Sequence, residues 1–236
     1  MVEIKGFIDI SLSDWEGKVS SVIFLPRCNF RCPFCYNKDL VLHPDIMPTI
    51  AMEQIEQYLE TNRKWIDGIV ITGGEPTQHN DLPDLCYRLK KMHFNIKLDT
   101  NGTNPTMARN LVNNQLIDHL ALDVKAPLTK EEYSLATGTD ATEVIERILE
   151  TVHLLIETHF SHEFRTTLVP SLHTQETVEK ICNAIKGCRK YVLQNLKPDV
   201  ETIDPRFQCL QPFSLPQMEA FLRTARRIVP DTYLRG

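Results

Sequence analysis

Apolar residues arrive along this chain in short bursts separated by longer stretches of helical period, six times in succession. Ser20–Leu25, Gly68–Thr72, Asn95–Leu98, His119–Val124, Glu163–Val169 and Tyr191–Leu196 read as strands: each is compact, rich in branched apolar residues and closed by turn formers. Between them, helical spacing covers Ala51–Trp65, with Ile55, Leu59 and Trp65 on or near one face. A second helix runs from a cap at Asn80 or Asp81, through Pro83 in its first turn, to Met92. Further helices are predicted near Thr106–Asn114, over Ala141–Thr158, near Thr174–Lys186 and from about Leu215 to Ile228. This alternation predicts an α/β fold with a parallel sheet wound by right-handed crossovers. Six units are too few for a full eight-unit barrel, which leaves a partial barrel and a doubly wound open sheet. With no repeat, low-complexity tract or Gly/Ser-rich linker, residues 1–236 read as a single domain, with residues 1–18 as a lead-in segment.

Composition narrows the setting. Hydrophobic content of 42% in 236 residues supports a substantial core. Charges within Met1–Ile10 argue against a secretory signal, and no run approaches the ~20 apolar residues that span a bilayer. The expectation is a cytoplasmic protein without a membrane partner. In a reducing compartment the seven cysteines read as ligands or buried thiols, and the dispersed Cys86, Cys182, Cys188 and Cys209 read as inert core residues. A net charge of −5 disfavours a nucleic-acid partner.

The other three cysteines share one loop. Cys28, Cys32 and Cys35 form a C-x3-C-x2-C pattern directly after the first predicted strand. Electron-transfer iron–sulfur cubes and structural zinc sites are closed by four ligands. Three thiolates would leave one metal position open, which is where a substrate binds. Arg27, Arg31 and Lys38 in the same loop read either as a solvated rim or as a basic collar for an acidic electron carrier. The motifs Gly73-Gly74-Glu75-Pro76 and Asp99-Thr100-Asn101-Gly102 also follow strands, and Asp123 and Arg165 lie at or within strands. In a parallel α/β barrel such positions converge on one mouth. Gly-Gly-Glu-Pro alone would read equally as a tight turn.

The cysteine loop, with Phe34 before its last cysteine and Gly73–Pro76 after the second strand, resembles the radical S-adenosylmethionine (SAM) superfamily over nearly the whole chain. Gly6-Phe7, the segment Ser11–Lys18 and the loop through Asn37 resemble the glycyl-radical-enzyme activators, in particular the anaerobic ribonucleoside-triphosphate reductase activating proteins. Asp99–Gly102 and Asp123-Val124-Lys125 are also patterns of pyruvate formate-lyase activating enzymes. The resemblance implies a partial TIM-like (β/α)6 barrel of parallel strands. It implies that Cys28, Cys32 and Cys35 hold a [4Fe–4S] cluster whose open iron is chelated by SAM. It implies further that Gly73, Gly74 and Glu75 contact the methionine end and that Phe34 packs near the adenine. Asp99, Thr100 and Asp123 match residues that hold a monovalent cation beside the methionine carboxylate, with Lys125 and Arg165 around the same ligand. No side chain is implied as a catalytic acid or base, since cluster and SAM carry the radical chemistry. The implied partners are a glycyl radical enzyme as substrate and a flavodoxin or ferredoxin as electron donor.

Alternatives stand beside this reading. Asp99 could cap its turn and Asp123 pair with Lys125. Tyr36 and Gln194 stand where relatives carry histidine, which leaves substrate identity open. His43 could complete a zinc site, although paired ligand spacings are missing. The same scaffold could act on a small molecule or peptide, as a modified-nucleobase synthase does. A non-catalytic metal or electron-transfer module would need a fourth ligand.

Overall fold

All six predicted strands form, and one more is added at each end. The computed structural model describes residues 2–235. Its contacts cluster into two compact units: one takes the chain up to Asn29, Asn37–Thr100 and Thr106–Leu120; the other takes Phe30–Tyr36, Asn101–Pro105 and the chain from Ala121.

The first unit carries β1 (Gly6–Ser11), β2 (Ser20–Leu25), α1 (Lys38–Leu42), α2 (Met52–Thr61), β3 (Gly68–Gly73), α3 (Leu82–Lys91), β4 (Asn95–Thr100) and α4 (Pro105–Asn113). β2, β3 and β4 pair in parallel, with Leu25 opposite Gly73 and Ile71 opposite Leu98. Val22, Ile23, Ile69, Val70 and Ile71 are fully buried, as expected of parallel strands covered on both faces. The lead-in is not a loose segment: β1 pairs antiparallel with β2, Gly6 opposite Phe24. Behind it, Trp15 packs on Val22 and Val70. A Cβ added at Gly68 would come within 2.7 Å of the Trp15 ring, so only glycine fits there. Two expectations fail at helix ends. Asp81 occupies the N-cap of α3 but makes no side-chain cap bond. α2 stops at Thr61, and Trp65 beyond it is 72% exposed rather than packed on the helix's buried face.

The second unit holds the end of β5 (His119–Asp123), followed by α5 (Lys130–Thr137), α6 (Val144–Glu157), β6 (His162–Leu168), α7 (Gln175–Ala184), β7 (Tyr191–Asn195), α8 (Pro205–Gln208), α9 (Leu215–Arg226) and β8 (Thr232–Arg235). β6, β7 and β8 pair in parallel. α5 is anchored by its Thr129 cap and a left-handed Gly138, and α7 by a Thr174–Thr177 capping box. Across the chain the sheet has eight strands in sequence order. Among the described residues no helix is long and apolar enough to cross a membrane.

Candidate functional site

In the first unit the end of β3 is built onto the start of the cysteine loop. The Gly74 N–H donates to the Leu25 carbonyl and the Glu75 N–H to the Arg27 carbonyl, both at 2.8 Å. The β2–β3 ladder therefore continues two residues past the strands, up to the residue before Cys28. Only glycine allows this approach: a Cβ at Gly74 would lie 1.8 Å from the Arg27 carbonyl oxygen, and one at Gly73 2.3 Å from that of Leu25. Gly73 also adopts φ +119°, a conformation natural only to glycine. The far end of the loop returns to the same place, since Asn37 Nδ2 donates to the Gly73 carbonyl at 2.9 Å. His79 Nε2 lies 2.8 Å from the Pro26 carbonyl and fixes the loop's first turn.

Glu75 is 1% exposed. Its Oε1 accepts from the Thr77 N–H (3.0 Å), the Thr77 hydroxyl (2.6 Å) and the Thr100 hydroxyl (2.6 Å), tying Gly-Gly-Glu-Pro to Asp-Thr-Asn-Gly. Asp99 and Thr100 end β4 and are buried. Asp99 Oδ1 lies 3.3 Å from the ammonium of Lys97, a fully buried lysine that also donates to the Asp14 carbonyl at 2.5 Å. Lys97 was passed over in the sequence. Its signal was there: a lone charge two residues before Asp99 in an apolar strand shares that residue's face. Arg27 pairs with Glu3 and Asp45 at 2.9 Å each, so at that position the basic-collar alternative is neutralised.

In the second unit the apex of the cysteine loop is held by backbone bonds: Arg31 N–H to the Thr137 carbonyl, Asp204 N–H to Pro33, and Ile203 N–H to Cys35. Cys32 and Phe34 are buried, Cys35 is half-buried, and Tyr36 is 62% exposed. At the end of β5, Asp123 receives Arg165 Nε (2.8 Å) on Oδ1 and Lys125 Nζ (2.9 Å) on Oδ2. Burial works against its charge, yet Arg165 and Lys125 prevail and hold the carboxyl well below the usual range. For Lys125 burial also opposes charge, but Asp123 and the neighbouring Cys32 thiol keep the ammonium firmly protonated. His173, buried after β6, accepts from the Val169 N–H on Nδ1 (2.9 Å); its Nε2 therefore carries the proton and donates to the Lys125 carbonyl (3.1 Å). Tyr133 packs edge-on against Phe30, and its hydroxyl accepts from the Lys125 N–H at 3.4 Å. Gln194 is half-buried in β7.

Among the described residues no cysteine is joined in a disulfide. Burial pushes the Cys86, Cys182 and Cys188 thiols up to about 12, as inert thiols require. Cys209 departs from that expectation: it is exposed at the end of α8. Among the described residues no three His, Cys, Asp or Glu side chains gather on a single metal ion. A cubane asks for something else, one thiolate on each of several irons. The loop offers thiols of that kind: Cys28 follows a backbone held by the Gly74 and Glu75 N–H groups, and Cys32 and Cys35 lie on the segment held by Thr137, Ile203 and Asp204.

Residues 22–188 match the Radical SAM superfamily. A candidate glycyl-radical enzyme activating enzyme of Methanocaldococcus jannaschii is 31% identical over 98% of this chain and 95% of its own length. Among solved structures, a radical SAM methyltransferase from Sphaerobacter thermophilus superposes with a TM-score of 0.72 at 17% identity, over 94% of this chain and 67% of its own. A domain of a pyruvate-formate lyase-activating enzyme from Bacteroides vulgatus does so at 0.57 and 15% identity, over 72% and 99% respectively. The structural likenesses establish the α/β fold of mostly parallel strands and its kinship with partial TIM-like barrels. With the family match over most of its length, the chain belongs to the radical SAM superfamily and is an enzyme of that family.

Proposed function

We propose that this enzyme activates a glycyl radical enzyme, most directly an anaerobic ribonucleotide reductase, by removing a hydrogen atom from a glycine Cα of that partner. The observation that carries the proposal is the near full-length similarity to an activating-enzyme candidate. The Ser11–Lys18 segment supports it, because the part of the chain that most resembles reductase activators is built into the core through Trp15 and the Asp14 carbonyl. When bound, the [4Fe–4S] cluster supplies the electron that splits SAM into methionine and the 5′-deoxyadenosyl radical.

The chain's own part is to bind and orient. Cys28, Cys32 and Cys35 are the cluster ligands. Asp123, Lys125 and Arg165 together carry one surplus positive charge, which suits the methionine carboxylate of SAM. The bare backbone of Gly73 and Gly74 lets a ligand approach the β3 end closely. Phe34, Glu75, Asp99 and Thr100 complete the proposed SAM contacts. The partner's glycine gives its hydrogen to the 5′ carbon, leaving a glycyl radical and 5′-deoxyadenosine. A flavodoxin or ferredoxin is the proposed electron donor.

Reduced enzyme, SAM and the reductase from the same organism should yield a glycyl doublet by electron paramagnetic resonance. Deuterium on that glycine should appear in 5′-deoxyadenosine. Cys32→Ala should give neither. SAM cleavage without either signal, for every glycyl radical enzyme of that organism, would favour a small-molecule or peptide substrate instead.

A further inference from the structure

Among the described residues, five besides glycine have a positive φ. His93, Gln115 and His159 stand two residues past the ends of α3, α4 and α6, where a left-handed residue commonly closes a helix, and Asp199 lies in an exposed turn. Arg27, at φ +62°, is different: it follows β2 and immediately precedes Cys28. The hydrogen bonds around it are out of step. β2 and β3 pair residue for residue up to Leu25 and Gly73. Beyond that pair the Gly74 N–H reaches the Leu25 carbonyl and the Glu75 N–H reaches that of Arg27, so one step along the β3 side answers two along the β2 side. The extra residue is a bulge, and a bulge transfers the side chains that follow it to the other face. Arg27 is held in this conformation from three directions. Its N–H donates to the Leu40 carbonyl at 2.7 Å, its carbonyl accepts from Glu75 at 2.8 Å, and its guanidinium pairs with Glu3 and Asp45 at 2.9 Å each. A left-handed backbone strains any residue with a Cβ and persists only where its surroundings impose it.

We infer that the left-handed turn at Arg27 sets the direction in which Cys28 leaves β2, which makes Arg27 a positioning residue for that ligand. The inference rests on the proposed assignment of Cys28 as a cluster thiolate. Glycine would adopt this backbone freely but would not hold it. Arginine supplies its own restraint: Glu3, ahead of β1, and Asp45, in the turn after α1, fix the side chain of the strained residue. Both pairs are largely exposed, so each adds little to the stability of the whole chain, and their effect is local to the turn.

The test reconstitutes the full chain anaerobically and measures iron and sulfide per chain and the electron paramagnetic resonance spectrum of the reduced cluster, with urea unfolding of each apoprotein alongside. Arg27→Gly, Arg27→Asn, Arg27→Gln and Arg27→Val all lose both ion pairs but differ in how readily they accept a positive φ. Cluster content should follow the backbone. Arg27→Gly and Arg27→Asn should load as the wild type does, Arg27→Val less than about half as much, and Arg27→Gln, which keeps the strain without the restraint, between them. A role in stability alone would move the urea midpoint and leave the spectrum unchanged; the residual cluster of Arg27→Val should instead show an altered spectrum. Equal loss in all four variants would assign the effect to the ion pairs and overturn the inference, as would wild-type loading and spectrum in Arg27→Val. If Arg27→Val fails to fold, the remaining three decide: Arg27→Gln loading below Arg27→Gly supports the inference, and no difference between them overturns it. Cys28→Ala separates the two readings. A complete cluster in Cys28→Ala would sink the ligand assignment, whereas an empty Cys28→Ala beside an unaffected Arg27→Val overturns this inference alone.

Discussion

Gly74→Ala is the sharpest test of how the cysteine loop is held. Gly74 has no left-handed backbone, so the substitution carries no penalty in φ; its whole cost is contact. The new Cβ would stand 1.8 Å from the Arg27 carbonyl oxygen and 2.5 Å from its carbon, and both are backbone atoms that cannot rotate away. Either β3 withdraws or the loop does. Withdrawal breaks the Gly74–Leu25 and Glu75–Arg27 bonds and strains the Asn37–Gly73 bond. Two lost bonds at roughly 1 kcal/mol each and overpacking strain of about 1–3 kcal/mol together predict a loss of about 3–5 kcal/mol. For a chain of this size that lowers the melting temperature by roughly 10 °C. Because the displaced residue immediately precedes Cys28, iron and sulfide per chain after anaerobic reconstitution should fall as well. Urea unfolding of the apoprotein gives the first number and metal analysis the second. Gly17→Ala is the control: its φ is +77° but nothing lies within 4 Å, so it should cost about 1 kcal/mol and leave cluster content intact. A Gly74→Ala protein with wild-type stability and full iron would refute the reasoning.

The other expectations are independent of that one. Asp123→Asn should weaken SAM binding at least several-fold and destabilise the apoprotein by about 1–3 kcal/mol, discounted from fully buried pairs because Asp123 keeps 28% of its side chain exposed. Its depressed carboxyl stabilises the fold above the unfolded pKa of about 3.9 and loses that contribution as pH falls further, so the gap between wild type and variant, measured by urea unfolding, should be flat from about pH 5 to 7 and close below about 4. His173 acts in a different window: burial pushes its imidazole down to about 4, so it stabilises fully above about 6.5 and that contribution is lost as pH falls toward 4. His173→Gln should remove up to about 3 kcal/mol of that acid sensitivity. Brief alkylation of the cluster-loaded protein, read by peptide mass, should label exposed Cys209 and spare buried Cys86 and Cys182, with half-buried Cys188 slower than Cys209; labelling of Cys86 and Cys182 at the rate of Cys209 would contradict their placement.

The six strands were legible because their pattern is dictated by burial on both faces: a parallel strand under helices reads as an unbroken apolar run such as Ser20–Leu25 or Gly68–Thr72. The three-cysteine loop and Gly73–Pro76 were legible because chemistry and backbone geometry restrict the residue types allowed there. β1 was missed because Gly6–Ser11 is neither an unbroken apolar run nor a strict alternation, with Ile8 and Ile10 exposed, and β8 because four residues carry almost no period. Asp99, Asp123, Lys125 and Arg165 were visible as candidates, and the Asp123–Lys125 pair, two residues apart, was legible as an alternative; the pairing of Asp123 with Arg165 was not, since charges far apart in sequence meet only through strand register. That register placed Arg165 on Asp123, and a shared face in β4 placed Lys97 beside Asp99. Sequence alone determined which residue types were available for the chemistry, because composition and spacing are local. Tertiary structure decided which charges neutralise one another, because electrostatic pairing falls off within a few ångströms and only the folded chain sets those distances.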